Sequence, residues 1–228
     1  LQRADVTDLV FTAEDAARLN AEARFETVAW PDRLGLILAA RPGLLPIPAG
    51  EDCFGLIGGG YSNEANASFA TIAGGGRSDE QDSNTGNRVT DDYGTVGGGG
   101  NNQAGDNAGT TGDRQFATVG GGNGNTASND YATVSGGMNN AASGYQSTIS
   151  GGYSNEASND GSTVCGGRDN AASGLRATVV AGYKNTAAGD YSFAAGRRAQ
   201  AIHDGALVWG DSQDADVVST ANNQITFR

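Results

Sequence analysis

The chain has 228 residues and a formal net charge of −12, and 37 of its residues are glycine. Nucleic acid is excluded as a partner, because a phosphate backbone would be repelled by this charge. No apolar run reaches the roughly 18 residues that a membrane-spanning helix needs, so the sequence also excludes a membrane span.

Residues 1–50 do not repeat and form the first predicted segment. Thr12, followed three residues later by Asp15, is typical of a capping box that starts a helix. The helix is predicted to end near Ala29, before the Trp30 and Pro31 step. We interpret this partly helical segment either as a cap for the repeats that follow or as an anchor to a larger assembly.

Residues 51–216 contain ten repeat units of mostly 14 or 15 residues, for example the unit that starts with TVSGGMNNAA at Thr133. Each unit has a β-branched or apolar residue, which we number as place zero, and Thr or Ser precedes it in most units. An Ala follows eight places later in nine units, with Glu80 as the exception. Such columns indicate in-register stacking and predict an all-β solenoid. The residues at place zero are Ile57, Ile72, Val96, Val119, Val134, Ile149, Val164, Val179, Phe193 and Leu207, and Ser192 and Ala206 precede the last two.

Glycine stands three places after zero in all ten units. It predicts a turn there, because glycine adopts a positive φ at no steric cost. Asparagine often stands six places after zero, where we expect a left-handed backbone and amides that hydrogen-bond from coil to coil. The predicted turn asparagines are Asn63, Asn102, Asn125, Asn140, Asn155, Asn170 and Asn185.

Two insertions interrupt the repeat, at residues 79–93 and 105–116, and both are predicted to leave the same corner of the solenoid. Loops on a rigid scaffold are common recognition sites, and their carboxylates are ligands that Ca²⁺ accepts. The other interpretation is a pair of solvated acidic loops that bind nothing specific, since no EF-hand spacing occurs. No other cofactor is predicted. The candidate ligand-binding acids are Asp79, Glu80, Asp82, Asp91, Asp92, Asp106 and Asp113.

Aromatic residues lie three places before zero in four successive units, at Phe69, Tyr93, Phe116 and Tyr131. We expect the four rings to stack between neighbouring coils. The functional alternative is an aromatic strip that holds sugar rings.

The place after zero is small or uncharged in every unit and lies on the outer side of the strand. A flat, uncharged face on an acidic rod predicts contact between identical subunits around a three-fold axis. Cys53 and Cys165 lie six coils apart, too far for a disulfide within one chain, so free thiols and cross-links between chains both stay open. The candidate trimer-interface residues are Ser135, Ser150, Cys165 and Val180, and the column also includes Gly58, Ala73, Gly97, Gly120, Ala194 and Val208.

Three segments, SFAAGRRAQA at Ser192, TVVAGYKNTA at Thr178 and ALVWGDSQDA at Ala206, resemble the repeat of YadA-like trimeric autotransporter adhesin heads. The resemblance covers residues 54–216, with a second Gly in seven units where the family has Ile. It implies a left-handed parallel β-roll of about ten coils, a homotrimer, and an extracellular or cell-surface location. Similar repeats occur in phage tail fibres, for which the location would be a virion or tail fibre.

The resemblance further implies an attachment fibre that binds a surface glycan or protein receptor through many weak contacts. One alternative is a tail fibre or receptor-binding protein of a phage or contractile injection system, and another is a monomeric ice-binding solenoid. The candidate ligand contacts at the fourth place after zero are Tyr61, Met138, Tyr153, Arg168, Tyr183 and Arg197.

Enzymatic chemistry is not predicted, because the sole histidine, His203, has Asp204 beside it but no nucleophile in a recognisable setting. Residues 217–228 leave the repeat and are predicted to form an exit strand towards a neck or a following domain.

Overall fold

A computed structural model describes residues 55–79, 81–82 and 85–228, so the predicted N-terminal helix, Cys53 and Glu80 lie outside the described residues. The described chain forms two parallel sheets, between which successive strands alternate. Sheet 1 contains β1 (Leu56–Ile57), β3 (Thr71–Ile72), β5 (Thr95–Val96), β7 (Thr118–Val119), β9 (Thr133–Val134), β11 (Thr148–Ile149), β13 (Thr163–Val164), β15 (Thr178–Tyr183), β17 (Phe193–Arg197), β19 (Leu207–Gly210) and β21 (Ile225–Phe227). Sheet 2 contains β2 (Glu64–Ala65), β4 (Arg88–Val89), β6 (Gln103–Ala104), β8 (Thr126–Ala127), β10 (Ala141–Ala142), β12 (Glu156–Ala157), β14 (Ala171–Ala172), β16 (Thr186–Ala187), β18 (Ala199–Ala201) and β20 (Val217–Val218).

Each coil sends one side chain from each sheet into a narrow core. Place zero points inward from sheet 1 and the Ala column points inward from sheet 2, so Val134 and Ala142 are both fully buried. Thr133 pairs with Thr118 on one side and with Thr148 on the other, so like residues stack in register. The predicted all-β parallel solenoid of about ten coils is confirmed, and the described residues form eleven strands in sheet 1 and ten in sheet 2. No helix in the described ranges is long and apolar enough to cross a membrane.

The glycine corner turns the chain from sheet 1 towards sheet 2. Gly137 has a φ of 91°, and a Cβ at this position would overlap the carbonyl oxygen of Gly152 in the next coil. Only glycine combines this conformation with so close an approach of two backbones. The turn predicted from the glycine column is therefore confirmed.

The asparagine column forms a buried ladder of hydrogen bonds along the solenoid. Asn140 donates from Nδ2 to the carbonyl oxygens of Gly136 and Gly152, both at 3.0 Å. Its Oδ1 accepts the backbone N–H of Asn155 at 3.0 Å. The expected hydrogen bonding from coil to coil is confirmed. The expected left-handed backbone is wrong, because it falls on the preceding residue, such as Asn139 with a φ of 56°.

The repeat changes phase by one residue between the eighth and ninth coils. Val179 pairs with Ala194, and Gly182 pairs with Gly196. Three residues separate the first members of these pairs and two separate the second, so the register of the two strands shifts by one residue between them. The glycine corners stay stacked. The part of β17 before its glycine is shifted by one residue relative to β15, so Phe193 pairs with Thr178. The assignments that this overturns are Phe193 and Leu207 at place zero, Ser192 and Ala206 before it, and Ala194 and Val208 after it.

The two insertions leave different corners of the solenoid, so the expectation of a shared corner is wrong. The first lies between Gly76 and Asn87, because β4 pairs with β2 before it and with β6 after it. Asn87 joins the asparagine ladder, and Val89 occupies the place that the sequence had assigned to Glu80. Asp91 and Asp92 therefore belong to a regular coil, and the predicted range 79–93 extends too far. The second insertion follows β6, at the other end of sheet 2.

Residues 217–228 continue the solenoid instead of leaving it. Val217 in β20 pairs with Ala199, and Ile225 in β21 pairs with Leu207. The predicted exit strand therefore completes the tenth coil with β20 and begins an eleventh with β21. This part of the solenoid is hard to recognise from the sequence, because the polar Thr226 pairs with the inward Val208.

The glycine corner gives a matched test in two adjacent residues. Gly137→Ala combines a left-handed backbone with overlap of the next coil, so we expect it to lower the free energy of unfolding by about 3 kcal/mol or more. Gly136→Ala is the control, because its nearest neighbouring atom would be 3.9 Å away and its φ is not positive; a change within about 1 kcal/mol is expected. Urea denaturation followed by circular dichroism measures both, and equal effects would contradict the corner geometry.

The asparagine ladder is tested by Asn140→Ala, which removes the side-chain partner of the Gly136 carbonyl oxygen and of the Asn155 N–H. The Gly152 carbonyl oxygen loses one donor but keeps the N–H of Met138. Unsatisfied buried polar groups cost about 1–3 kcal/mol each. We expect a loss of about 3 kcal/mol in the free energy of unfolding, measured as above. Asn222→Ala, at an exposed turn, is the control and should change stability little.

Candidate functional site

A line of side chains runs along the glycine corner at the fourth place after zero. Its members pair in parallel from coil to coil between Tyr61 and Tyr183, and Tyr183 pairs with Arg197. We call this line the corner column. Tyr61, Met138 and Tyr153 are 40%, 43% and 37% exposed. The long side chains of the column are Tyr61, Met138, Tyr153, Arg168, Tyr183 and Arg197, the same residues that the sequence proposed as ligand contacts.

Aromatic rings and cations alternate along the second half of the corner column. The guanidinium carbon of Arg168 lies 5.3 Å from the ring centroid of Tyr153 and 5.7 Å from that of Tyr183. Arg197 lies 5.8 Å and the Nζ of Lys184 5.1 Å from the Tyr183 centroid. Cations within about 6 Å of a ring centroid are attracted to its face. A basic, aromatic strip therefore lies on a chain whose net charge is −12.

The arginines of the corner column also form ion pairs with exposed carboxylates. Arg168 Nε lies 3.3 Å from Asp169 Oδ2, and Arg197 Nη2 lies 3.0 Å from Asp214 Oδ1. The Arg197 hydrogen bond lowers the pKa of Asp214. Exposed ion pairs of this kind contribute about 0–1 kcal/mol. An anionic group of a ligand can therefore replace either carboxylate at little cost.

The first coil repeats the same chemistry with a residue that the sequence did not single out. The guanidinium carbon of Arg77 lies 4.0 Å from the ring centroid of Tyr61, and its Nε donates to Ser62 Oγ at 2.9 Å. Arg77 stands five places after Ile72 and directly after Gly76 of the corner column. The repeat spacing could therefore have placed it beside Tyr61.

The four predicted aromatic residues form a continuous stack at the corner that follows sheet 2; we call it the ring ladder. Successive centroids from Phe69 through Tyr93 and Phe116 to Tyr131 are 4.8, 4.7 and 5.1 Å apart, with interplanar angles of 8°, 11° and 6°. Each ring is 39–49% exposed. The expected stacking between coils is confirmed, and the ring ladder leaves an aromatic edge in solvent.

Three carboxylates meet at the base of the second insertion. One oxygen from each of Asp91, Asp106 and Asp113 lies within 4.8 Å of the others, and we call these residues the carboxylate cluster. Asp91 is buried, Asp106 is half-buried and Asp113 is exposed. The sequence placed Asp91 in the other insertion. The structure brings it to this one because β4 and β6 are neighbours in sheet 2, so the residues after both strands lie side by side.

The Asp91 carboxylate is hydrogen-bonded through one oxygen only. Its Oδ2 accepts from Thr90 Oγ and from the backbone N–H of Asp106, both at 2.9 Å. Its Oδ1 is buried and has no donor among the described residues. Burial raises the pKa of Asp91, against the opposing effect of the Thr90 hydrogen bond. Asp113 differs, because a hydrogen bond from Thr110 Oγ at 2.6 Å lowers its pKa.

The other predicted acids that lie among the described residues do not join this cluster. Asp79 accepts the N–H of Gln81 at 2.8 Å within the first insertion, and Asp82 lies in the same exposed loop. Asp92 accepts the N–H of Ser68 at 2.9 Å and thereby fixes the corner of the regular coil. The seven candidate acids therefore do not form one site.

The outer face of sheet 1 carries the two columns that flank place zero. The threonine column is half-buried, and Ser135, Ser150, Cys165 and Val180 in the other column are exposed. Neither column contains a charged residue in any of the eleven strands. Cys165 is a free thiol on this face.

The outer face of sheet 1 carries larger apolar side chains from the eighth coil onwards. Val180, Trp209, Ile225 and Phe227 are 38%, 49%, 67% and 68% exposed, and the half-buried Phe193 lies in the threonine column. Contiguous exposed apolar patches mark interaction surfaces.

Comparison with known proteins does not assign this chain to a family. No family model matches the chain, and no curated protein matches it.

Proposed function

We propose that the chain is the head or shaft of a homotrimeric extracellular attachment fibre, similar to trimeric autotransporter adhesins. It binds a glycan or protein receptor on a host, matrix or cell surface. The observation that carries this proposal is the corner column, which presents aromatic and cationic side chains at regular spacing on a rigid solenoid. Residues 1–50 are proposed to attach this head to the larger fibre or surface assembly.

The outer face of sheet 1 supports the homotrimer. Each coil buries few large side chains, and the last coils leave Trp209, Ile225 and Phe227 about half or more exposed. Identical chains packed through this uncharged face would cover those side chains without burying a charge. The small residues of the earlier coils would let neighbouring backbones approach closely.

The corner column supports ligand binding because tyrosine rings and arginine side chains alternate along it. A tyrosine face packs against a sugar ring, and an arginine beside it pairs with a carboxylate or sulfate on that sugar. Each contact is weak. Three chains with several contacts each would raise the overall affinity by avidity.

The threonine column favours a second candidate, a monomeric ice-binding solenoid. Threonines stack in register on a flat, uncharged sheet from Thr71 to Thr178, at a spacing of about 4.8 Å. This candidate requires the face to stay in solvent, so the oligomeric state separates it from the fibre. A tail fibre of a phage or injection system shares the proposed architecture and differs in what residues 1–50 bind.

The mass of the full chain in solution tests the homotrimer. Light scattering at low micromolar concentration should give three times the chain mass of 23.0 kDa, unchanged on dilution. Val180→Glu places a charge on the outer face of sheet 1 and should lower the mass towards one chain. Val218→Glu is the matched control, since Val218 in sheet 2 is 40% exposed against 38% for Val180. A wild-type mass near one chain would instead favour the ice-binding solenoid, with thermal hysteresis as its direct test.

The corner column is tested by Tyr153→Ala combined with Tyr183→Ala. On a glycan array or a cell-binding assay, we expect at least about a tenfold loss in apparent affinity, because a weak loss per chain multiplies across a multivalent contact. Tyr145→Ala combined with Tyr191→Ala removes two tyrosines that are also exposed but lie near the opposite corner. An equal loss in both double variants would argue against a specific role for the corner column.

A further inference from the structure

One member of the carboxylate cluster, Asp91, has a buried oxygen that the fold leaves without a donor. Asp91 is fully inaccessible to solvent, and its Oδ1 has no hydrogen-bond partner in the described part of the chain. Buried charges in proteins are paired or coordinate metals. This oxygen therefore needs a positively charged or protonated partner that the neighbouring residues do not supply.

The groups that meet the Asp91 carboxylate in the cluster are two further acceptors. One oxygen each of Asp91, Asp106 and Asp113 lies within 4.8 Å of the others. Two carboxylates approach each other closely only with a proton or a cation between them. A single proton can bridge only two of the three carboxylates, whereas one cation can contact all three.

The charge of the surroundings matches a divalent cation. Arg114 Nε lies 3.6 Å from Asp106 Oδ2 and is the cation that pairs with this cluster among the described ion pairs. Three ionised carboxylates and one guanidinium leave a formal charge of −2.

We propose that Asp91, Asp106 and Asp113 bind one Ca²⁺ ion. Every donor atom is an oxygen, as this ion prefers, and oxygens bound to one Ca²⁺ at about 2.4 Å lie up to about 4.8 Å apart. The three donor oxygens all lie within 4.8 Å of one another, a spread that one shared ion can span.

The ion would fasten the second insertion to the solenoid. Asp91 belongs to a regular coil, whereas Asp106 and Asp113 belong to the insertion. The insertion begins in direct contact with the site, because a Cβ on Gly105 would overlap the Asp91 carboxylate. The same insertion ends at Phe116 in the ring ladder. Calcium would thus order the loop beside the exposed aromatic edge, independently of what the fibre binds.

The test is calorimetric titration of CaCl₂ into the full chain after removal of metal with a chelating resin. The buffer contains about 150 mM NaCl, which screens exposed charges, and Ca²⁺ reaches about 5 mM, above the dissociation constants of weak extracellular sites. We expect one Ca²⁺ per chain and a rise in Tm in CaCl₂. Asp91→Asn should weaken binding at least about tenfold, yet it keeps an acceptor oxygen for Thr90 and Asp106, so the metal-free protein should still fold.

Two further variants keep the outcome decisive. Asp113→Asn removes an exposed ligand without changing a buried group, so it should weaken binding even if Asp91→Asn fails to fold. Asp79→Asn is the matched control, since this exposed acid of the first insertion lies outside the cluster, and it should bind Ca²⁺ as the wild type does. The proposal is overturned if the wild type gives no binding heat, as a shared proton would predict. Unchanged affinity in Asp113→Asn, or equal affinity for MgCl₂, would also overturn it.

Discussion

The hydrogen bonds from buried asparagine amides to glycine carbonyls hold the coil corners, and the other features of the molecule depend on them. A coil this thin buries only one Val or Ile and two small residues besides its asparagine, as with Val134, Ala132 and Ala142. Hydrophobic burial alone therefore does not fix the direction of the turn. Each amide binds a carbonyl of its own turn and one of the next coil, as Asn155 does with Gly151 and Gly167, both at 3.0 Å. The buried polar groups of the corner are thereby satisfied without water. Glycine is required there because the two turns lie too close for a Cβ.

A fixed interior leaves the exterior free to vary. The corner column, the ring ladder and the outer face of sheet 1 all use side chains that point away from the ladder and the core. Their chemistry differs from coil to coil, for example between Met138 and Tyr153, while the backbone pairing between them is regular. Insertions are accommodated for the same reason. Both occur at corners, where they interrupt neither the strands nor the asparagine ladder, and Asn87 resumes the ladder directly after the first one.

The sequence predicts the regular coils well, because the residue type at each place of the repeat follows from the contact that its side chain makes. Val at place zero points inward and Gly three places later forms the turn, both as expected. Asn six places later makes the expected hydrogen bonds, although the left-handed backbone falls on the residue before it. Predictions failed where the spacing changed. Phe193 looks like an inward residue by sequence, yet stacking of the glycine corners outweighs its hydrophobicity and turns it outward. The carboxylate cluster could not be predicted either, because Asp91 and Asp106 become neighbours only through the pairing of β4 with β6.

The direction of the backbone hydrogen bonds gives the solenoid a distinctive response to force. The strands run across the long axis, and the bonds between coils run along it, as between Thr133 and Thr148. A pulling force along the axis therefore acts on the backbone hydrogen bonds between neighbouring coils, and the coils would open one after another. Each opened coil of 15 residues would lengthen from a rise of about 4.8 Å to about 50 Å of extended chain. Such a rod would absorb the work of a pulling force by extending in steps, one coil at a time. The coils that are still closed would keep their resistance to bending.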